Sequence, residues 1–277
     1  MRLTGIMILF AVTFNALMTI SSGKVVNAQA VGKISVSYSV ASNKITLHEP
    51  VILSFTVRND LERTIKFDLG FGRKEAFLIT ITQPDGAKIE LPRFQPEGLG
   101  LIGRTQVRSK QIYTQNLLLN EWYEFKMLGK YEIAINLTNP MQTLEGKNIE
   151  TNTRYRTSLE IYPRDGERLK QVCAALARKV ATASSYDNAS EAVLALSYVN
   201  DTVAVPYLDE VLKSNRLELI AIKGLERIAN YEAVDVLISA LKIQTGETSR
   251  LARYALVRIE QKALDQRIKE RVRQALS

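Results

Sequence analysis

Cysteine and histidine each occur once in this chain, as Cys173 and His48. One cysteine cannot close an internal disulfide. Zinc sites take several ligands, drawn largely from these two residue types, so no zinc centre is expected. A hydroxyl nucleophile activated by His48 would need a positioned serine and acid, and the context "TLHEPV" offers only Glu49 and Pro50 beside it. No D-x-D-x-D-G run marks a calcium loop. Carboxylate neighbours such as Asp209 and Glu210 fall in a segment where charged residues read as solvated helix surface. No catalytic residue, no metal and no cofactor is therefore expected, and the chain reads as non-enzymatic. Cys173, in "VCAALA", is expected to be a buried thiol on a helix.

Long apolar runs are also missing. The longest, "IMILFAVTFNALMTI", has fifteen residues, is interrupted by Thr13 and Asn15, and falls short of the ~20 that span a bilayer. It follows Arg2 and leads to "NAQA", where Ala28 and Ala30 match the small-x-small pattern of signal peptidase cleavage. Residues 1 to 30 therefore read as a signal peptide. The mature chain is expected to begin at Val31, exported to the periplasm or the medium, with no membrane span after cleavage. An uncleaved membrane anchor is the less favoured alternative.

Charge of one sign is scarce as well. The formal net charge of +8 becomes +6 without Arg2 and Lys24. Residues 31 to 163 carry 17 basic and 14 acidic side chains, and residues 164 to 277 carry 18 and 15. Neither half has the concentrated excess that phosphate recognition needs, so no nucleic-acid partner is expected.

What is present is a folded composition, 46% hydrophobic and 24% charged, with 277 residues to divide between two cores. From Ile34 to Tyr162 the apolar period is two. "KISVSYSV", "PVILSFTVRN", "TIKFDLG", "AFLITITQ", "AKIEL", "QNLLLN", "GKYEIAINL" and "RYRTSLEIY" read as seven or eight short strands, with a hairpin turn at Pro84, Asp85 and Gly86. Residues 31 to 163 are thus expected to form an immunoglobulin-like β-sandwich. In "NEWYEFKMLGKYEIAINL", Tyr131 after Gly129 resembles the tyrosine of such sandwiches whose hydroxyl bonds back to the backbone at a corner, with Trp122 at the core edge.

Two long polar connections, "RFQPEGLGLIGRTQVRSKQ" and "NPMQTLEGKNIETNT", are candidate binding loops, since binding concentrates in loops on a rigid scaffold. The first contains Gly98, Gly100, Gly103 and Arg104. Its glycines spell G-x-G-x-x-G, but that fingerprint works only between a strand and a helix, and here it sits in an all-β stretch after Pro92 and Pro96.

After "YPRDGERL" the period changes to 3.6, which places a domain boundary near Arg164. A pattern of small residues three apart, then leucine, then an aliphatic residue occurs three times. It runs Ala192, Ala195, Leu196, Val199, then Ala221, Gly224, Leu225, Ile228, then Ala252, Ala255, Leu256, Ile259, at offsets of 29 and 31. The preceding stretches repeat too: "AVPYLDEVLK" from 204 aligns with "AVDVLISALK" from 233. Each unit is a helix pair. The pattern, with Pro206 in a first turn, resembles the short HEAT-like repeats of about thirty residues. The resemblance spans residues 164 to 277 and implies an α-solenoid whose concave face binds protein. A final helix in "LDQRIKERVRQAL" would carry Leu264, Ile268, Val272 and Leu276 on one stripe.

The expectation is therefore an exported, non-enzymatic protein-binding scaffold that works through the solenoid. The alternative is an inhibitor or regulator of an exported enzyme, such as a protease, acting through the loops of the sandwich. The partner's identity and the oligomeric state are left open.

Overall fold

Strict alternation builds the first half. In "ILSFTVRN" the residues Leu53, Phe55, Val57 and Asn59 are buried and the intervening ones are not, the period-two signature of a strand with one face on a core. The computed structural model describes residues 34–92, 103–214, 217–243 and 246–277. Ala28, Ala30, Gly98 and Gly100 lie outside these residues.

Among the described residues there are twelve strands: β1 Ile34–Val40, β2 Lys44–Thr46, β3 Ile52–Asn59, β4 Ile65–Asp68, β5 Phe77–Thr82, β6 Lys88–Glu90, β7 Arg104–Val107, β8 Ile112–Leu118, β9 Gly129–Leu137, β10 Met141–Thr143, β11 Asn148–Ile149 and β12 Arg154–Tyr162. They form sheets of order β1-β3-β8, β11-β10-β4-β7 and β2-β12-β9-β5-β6. Every pairing is antiparallel except β2 with β12. The inward faces of all three sheets share one core, so the domain is a β-sandwich. They meet at the fully buried Phe55, whose ring lies 5.2 Å from Tyr38 on β1, 6.2 Å from Phe67 on β4 and 5.1 Å from Phe77 on β5. Tyr131 is fully buried, and its hydroxyl donates to the Met127 carbonyl and accepts from the Met127 N–H, both at 3.0 Å. That is the corner geometry expected of an immunoglobulin-like sandwich.

The two polar connections are more regular than the sequence suggests. Arg104, expected in a loop, opens β7, which pairs with β4. Gly103 sits so close to Gly70 that a Cβ there would come within 2.2 Å of the Gly70 carbonyl oxygen. Only glycine fits that approach, so this residue is held by packing rather than left open. The second connection contains the β10–β11 hairpin, turned at Gly146 with φ +87° and anchored by buried Met141 and Thr143. The strands in both stretches are only two to four residues long, which hides their alternation from a sequence reading.

Among the described residues seven helices follow: α1 Gly166–Ala181, α2 Tyr186–Ser197, α3 Val205–Lys213, α4 Glu218–Ile228, α5 Tyr231–Ile243, α6 Glu247–Lys262 and α7 Gln266–Leu276. Side-chain caps start several of them. Asp165 accepts from the Arg168 N–H at 3.0 Å and Ser185 from the Asn188 N–H at 3.2 Å. Pro206 lies in the first turn of α3, where its missing N–H costs nothing. Consecutive helices pack as α1/α2, α3/α4 and α5/α6. Odd helices also touch the next odd helix and even helices the next even one, with α7 against α5 and α6.

The repeated small and large residues are the packing face of the even helices. Ala192, Ala195, Leu196, Ala221, Gly224, Leu225, Ala252, Ala255, Leu256 and Ile259 are all buried on α2, α4 and α6. A Cβ on Gly224 would lie 2.9 Å from Ser197 Cα, so α4 rests on the end of α2 where a side chain would hold it off. Val199 is buried just beyond α2, and Ile228 closes α4 half-buried. Leu264 departs from its expected stripe. It is fully exposed and outside α7, because Asp265 caps the helix by accepting from the Arg267 N–H at 2.8 Å and so starts the helical period after it.

Candidate binding cleft at the domain junction

The halves are stitched at a short turn. Strand β2 ends at Thr46, and the turn closes through Glu49 N–H to the Thr46 carbonyl at 3.1 Å, with the Thr46 N–H returning to Glu49 Oε2 at 3.1 Å. His48, at the turn's tip, adopts φ +74°, a left-handed backbone uncommon outside glycine. Because β2 runs parallel to β12, the turn lies beside the exit from the sandwich. Thr46 Oγ1 donates to the Pro163 carbonyl at 2.6 Å and accepts from the Asp165 N–H at 2.7 Å.

Two arginines complete the seam. Arg168, on the first turn of α1, donates from Nε to Glu49 Oε2 at 2.7 Å and from Nη2 to Oε1 at 3.2 Å. Arg164 grips Asp201 with two hydrogen bonds, one of them 3.0 Å, while the Asp201 carboxylate also accepts from the Val203 N–H at 3.1 Å. Thr46, Glu49 and Asp201 are three of the seven buried polar or charged residues among those described. Carboxylates so placed are tolerable only with such forked partners. Burial pushes the Asp201 carboxyl up, but the Arg164 hydrogen bonds, the Val203 N–H and the guanidinium charge outweigh it and hold the group below its ordinary value. A smaller apolar contact adds to the seam: Leu118 of β8 is buried in the helical core, with Ile52 of β3 against it.

Between this turn and the C-terminal ends of α2 and α4 lies a cleft of about 400 Å³, lined among others by His48, Asn120, Phe125, Lys126, Tyr198 and Arg227. The Arg227 guanidinium stacks 3.8 Å from the Tyr198 ring centroid and donates from Nη1 to the Ser197 carbonyl at 3.1 Å. Lys126 pairs with Glu124 at 2.8 Å. A second cleft, about 350 Å³, opens where β3 and β8 meet α1 and α2, and there Asn116 Nδ2 donates to Glu191 Oε2 at 2.9 Å.

The first cleft can hold a polar group against an aromatic wall. Among the described residues the His48 imidazole makes no hydrogen bond to a hydroxyl or thiol, and no group of three His, Cys, Asp or Glu is placed to hold a metal ion. Cys173 is fully buried on α1, and burial pushes its thiol up to about 12. Gly103 and Arg104 do not line either cleft; Arg104 is exposed, 4.0 Å from Asp68. Ala192 and Ala195 of the repeated pattern edge the second cleft. The seam residues Arg164, Arg168, Glu49 and Asp201 and the cleft residue Arg227 escaped the sequence reading. Asp201 alone left a signal, as an acid just ahead of a new helix.

No protein-family model matches the chain, and no curated protein matches it either. Among solved structures, the chain is similar to the CARDB domain of the PF1109 protein of Pyrococcus furiosus, a complex with di-metal ions, at 9% identity and a TM-score of 0.27, covering 47% of this chain and 94% of that one. It is similar to PapD-like domain 7 of human CEP192 at 9% identity and a TM-score of 0.28, covering 46% and 87%. A β-glucosidase from Listeria innocua aligns at 7% identity and a TM-score of 0.28, covering 49% of this chain but only 17% of the enzyme. No helix among the described residues is long and apolar enough to cross a membrane.

Proposed function

We propose that this is an exported, non-enzymatic binding protein, an immunoglobulin-like sandwich followed by a short solenoid of HEAT-like helix pairs, whose even helices hold a protein partner. The observation that carries this reading is the stacking of α2, α4 and α6 through equivalent buried residues, with Gly224 seated on Ser197. Small residues on one side bring the helices together, and in a solenoid the opposite side would be the binding surface. On α4 and α6 that surface presents Leu219, 48% exposed, and Tyr254, 53% exposed, beside arginines. Tyrosine and arginine are the residue types that anchor protein interfaces.

The sandwich fits the same reading as a cap. By burying Leu118 in the helical core it covers the first pair, a neighbour that so short an array needs on that side. The leader with Ala28 and Ala30 supports export.

Crosslinked capture from the exported fraction tests this, using the full chain, a Leu219→Asp/Tyr254→Ala variant and an Arg104→Glu variant. One partner protein should be retained by the unaltered chain and by Arg104→Glu, and lost from the double variant. Loss from Arg104→Glu alone would assign the partner to the sandwich instead, and no partner with any bait would sink the reading.

A further inference from the structure

The near-even charge of the helical half hides a gradient. Residues 164 to 246 carry ten basic and eleven acidic side chains, whereas residues 247 to 277 carry eight and four. The whole basic excess of this half therefore sits on its last two helices, α6 and α7. On α6 the residues at spacings of three and four, Arg250, Arg253 and Tyr254, are all exposed, opposite the buried Ala252, Ala255, Leu256 and Ile259. Arg253 has no ion-pair partner among the described residues, while Arg250 pairs with Glu247 at 2.5 Å within the helix.

The repeat register sets this face beside α4. At an offset of 31, Leu219 corresponds to Arg250 and Arg227 to Arg258. Side-chain contacts across the row bear out lateral neighbours of this kind: Arg258 forks onto Glu226 at 2.7 and 2.6 Å, and Arg227 stacks on Tyr198. The result is a strip in which Leu219 and Tyr254 lie among guanidinium groups, Arg227 stacked on Tyr198, Arg250 paired with Glu247 and Arg253 exposed.

We propose that this strip, from Arg227 across to Arg250, Arg253 and Tyr254, binds an acidic protein segment that interleaves carboxylates with large apolar side chains. The inference rests on the proposed partner-binding role of the even helices and names the chemistry of that partner. Guanidinium forks match carboxylates bidentately, while Leu219 and Tyr254 offer apolar seats. The carboxylates of Glu226 and Glu247 interrupt the positive field, which suits a chain with spaced charges and opposes a flat anionic membrane.

The test uses the full chain and a fluorescein-labelled peptide in which Glu pairs alternate with Leu. Binding is read by anisotropy at several salt concentrations, with a Gln-for-Glu peptide and phosphatidylserine vesicles as separate arms. The acidic peptide should bind, weaken with salt, and lose about tenfold or more in affinity to Arg250→Glu/Arg253→Glu. Tyr254→Ala should weaken binding while leaving the salt dependence in place. Both arginines are exposed, so unchanged circular dichroism should accompany the loss. Equal binding by the charge-reversed variant, no peptide binding by the folded chain, or arginine-dependent binding of vesicles in place of peptide would each overturn the proposal. If Arg250→Glu/Arg253→Glu still captures the natural partner, the acidic-segment proposal falls while the binding-protein reading stands. If the unaltered chain captures none, that reading falls whatever the peptide does.

Discussion

In the sandwich, Phe55 touches rings from β1, β4 and β5, and its strand pairs with β8 through Ile52 and Leu118, residues far apart in the chain. In the helical half, Leu225 on α4 sits in a core built from the adjoining helices, and helix packs on helix chiefly between near neighbours in sequence. One core closes only when distant segments arrive together; the other accumulates unit by unit. The sandwich should therefore respond to damage as a whole and the helices locally. The polar seam at Glu49, Arg168, Arg164 and Asp201 decides how far one half feels the other.

The largest expected effect breaks the sandwich. Phe55→Ala removes a fully buried ring shared by three sheets and should cost about 3–5 kcal/mol, read as a lower urea midpoint for the β signal. The single thiol separates the two halves in that experiment, since Cys173 is buried on α1 and its raised pKa keeps it inert until the helices open. Slower exposure of Cys173 than loss of the β signal would support separable cores, and simultaneous loss would join them.

Gly224→Ala tests the helical side. Alanine gains about 1 kcal/mol in helix propensity. The added methyl meets Ser197 Cα at 2.9 Å, and overpacking of this kind costs about 1–3 kcal/mol, so the clash should win. Faster Cys173 labelling with an unchanged β signal is the expected result; a slower rate would mean that α4 shifts freely.

Arg168→Met sharpens the comparison at the seam. It leaves Glu49, 9% exposed, without its forked partner and should cost about 1–3 kcal/mol. More telling is the shape of the curve: thermal unfolding should separate into two transitions. A double-mutant cycle with Glu49→Gln isolates the pair, and a coupling energy near zero would show that the seam does not join the domains.

The smallest effect is one of pH. Asp201 has its folded pKa lowered from the ordinary 3.8, so its contribution is present above that value and lost as pH falls through the folded pKa. Coupling between the halves should survive mild acid and weaken only below about pH 4, the range in which free carboxylates take up protons. Asp201→Asn should remove that acid limb, and an unchanged acid profile would assign it to another group.

Much of the β half was legible because burial on one face writes itself as alternation. Leu53, Phe55 and Val57 announce a strand in any context, and Tyr131 after Gly129 announces a corner. The short strands β7 and β10 were not legible, since three or four residues carry too little pattern to separate from a polar loop. Leu264 misled for a related reason. Helical spacing extends backwards past a cap unless the cap is weighed, and Asp265 ends the pattern there. Gly103 reads as freedom in a glycine-rich stretch, yet it is the contact with Gly70 that demands it.

The sequence by itself determined the local periods, the small-residue face of Ala192, Ala221 and Ala252, and the isolation of Cys173 and His48, because each depends on residue type and spacing alone. Only the tertiary structure decided that Glu49 meets Arg168, that Arg164 takes Asp201, that Arg227 stacks on Tyr198, and that Leu118 leaves the sandwich for the helical core. Glu49 and Arg168 lie 119 residues apart, and nothing in either one's neighbourhood encodes the other. They meet because β2 runs parallel to β12 and brings the turn beside the start of α1, a consequence of how the whole chain packs.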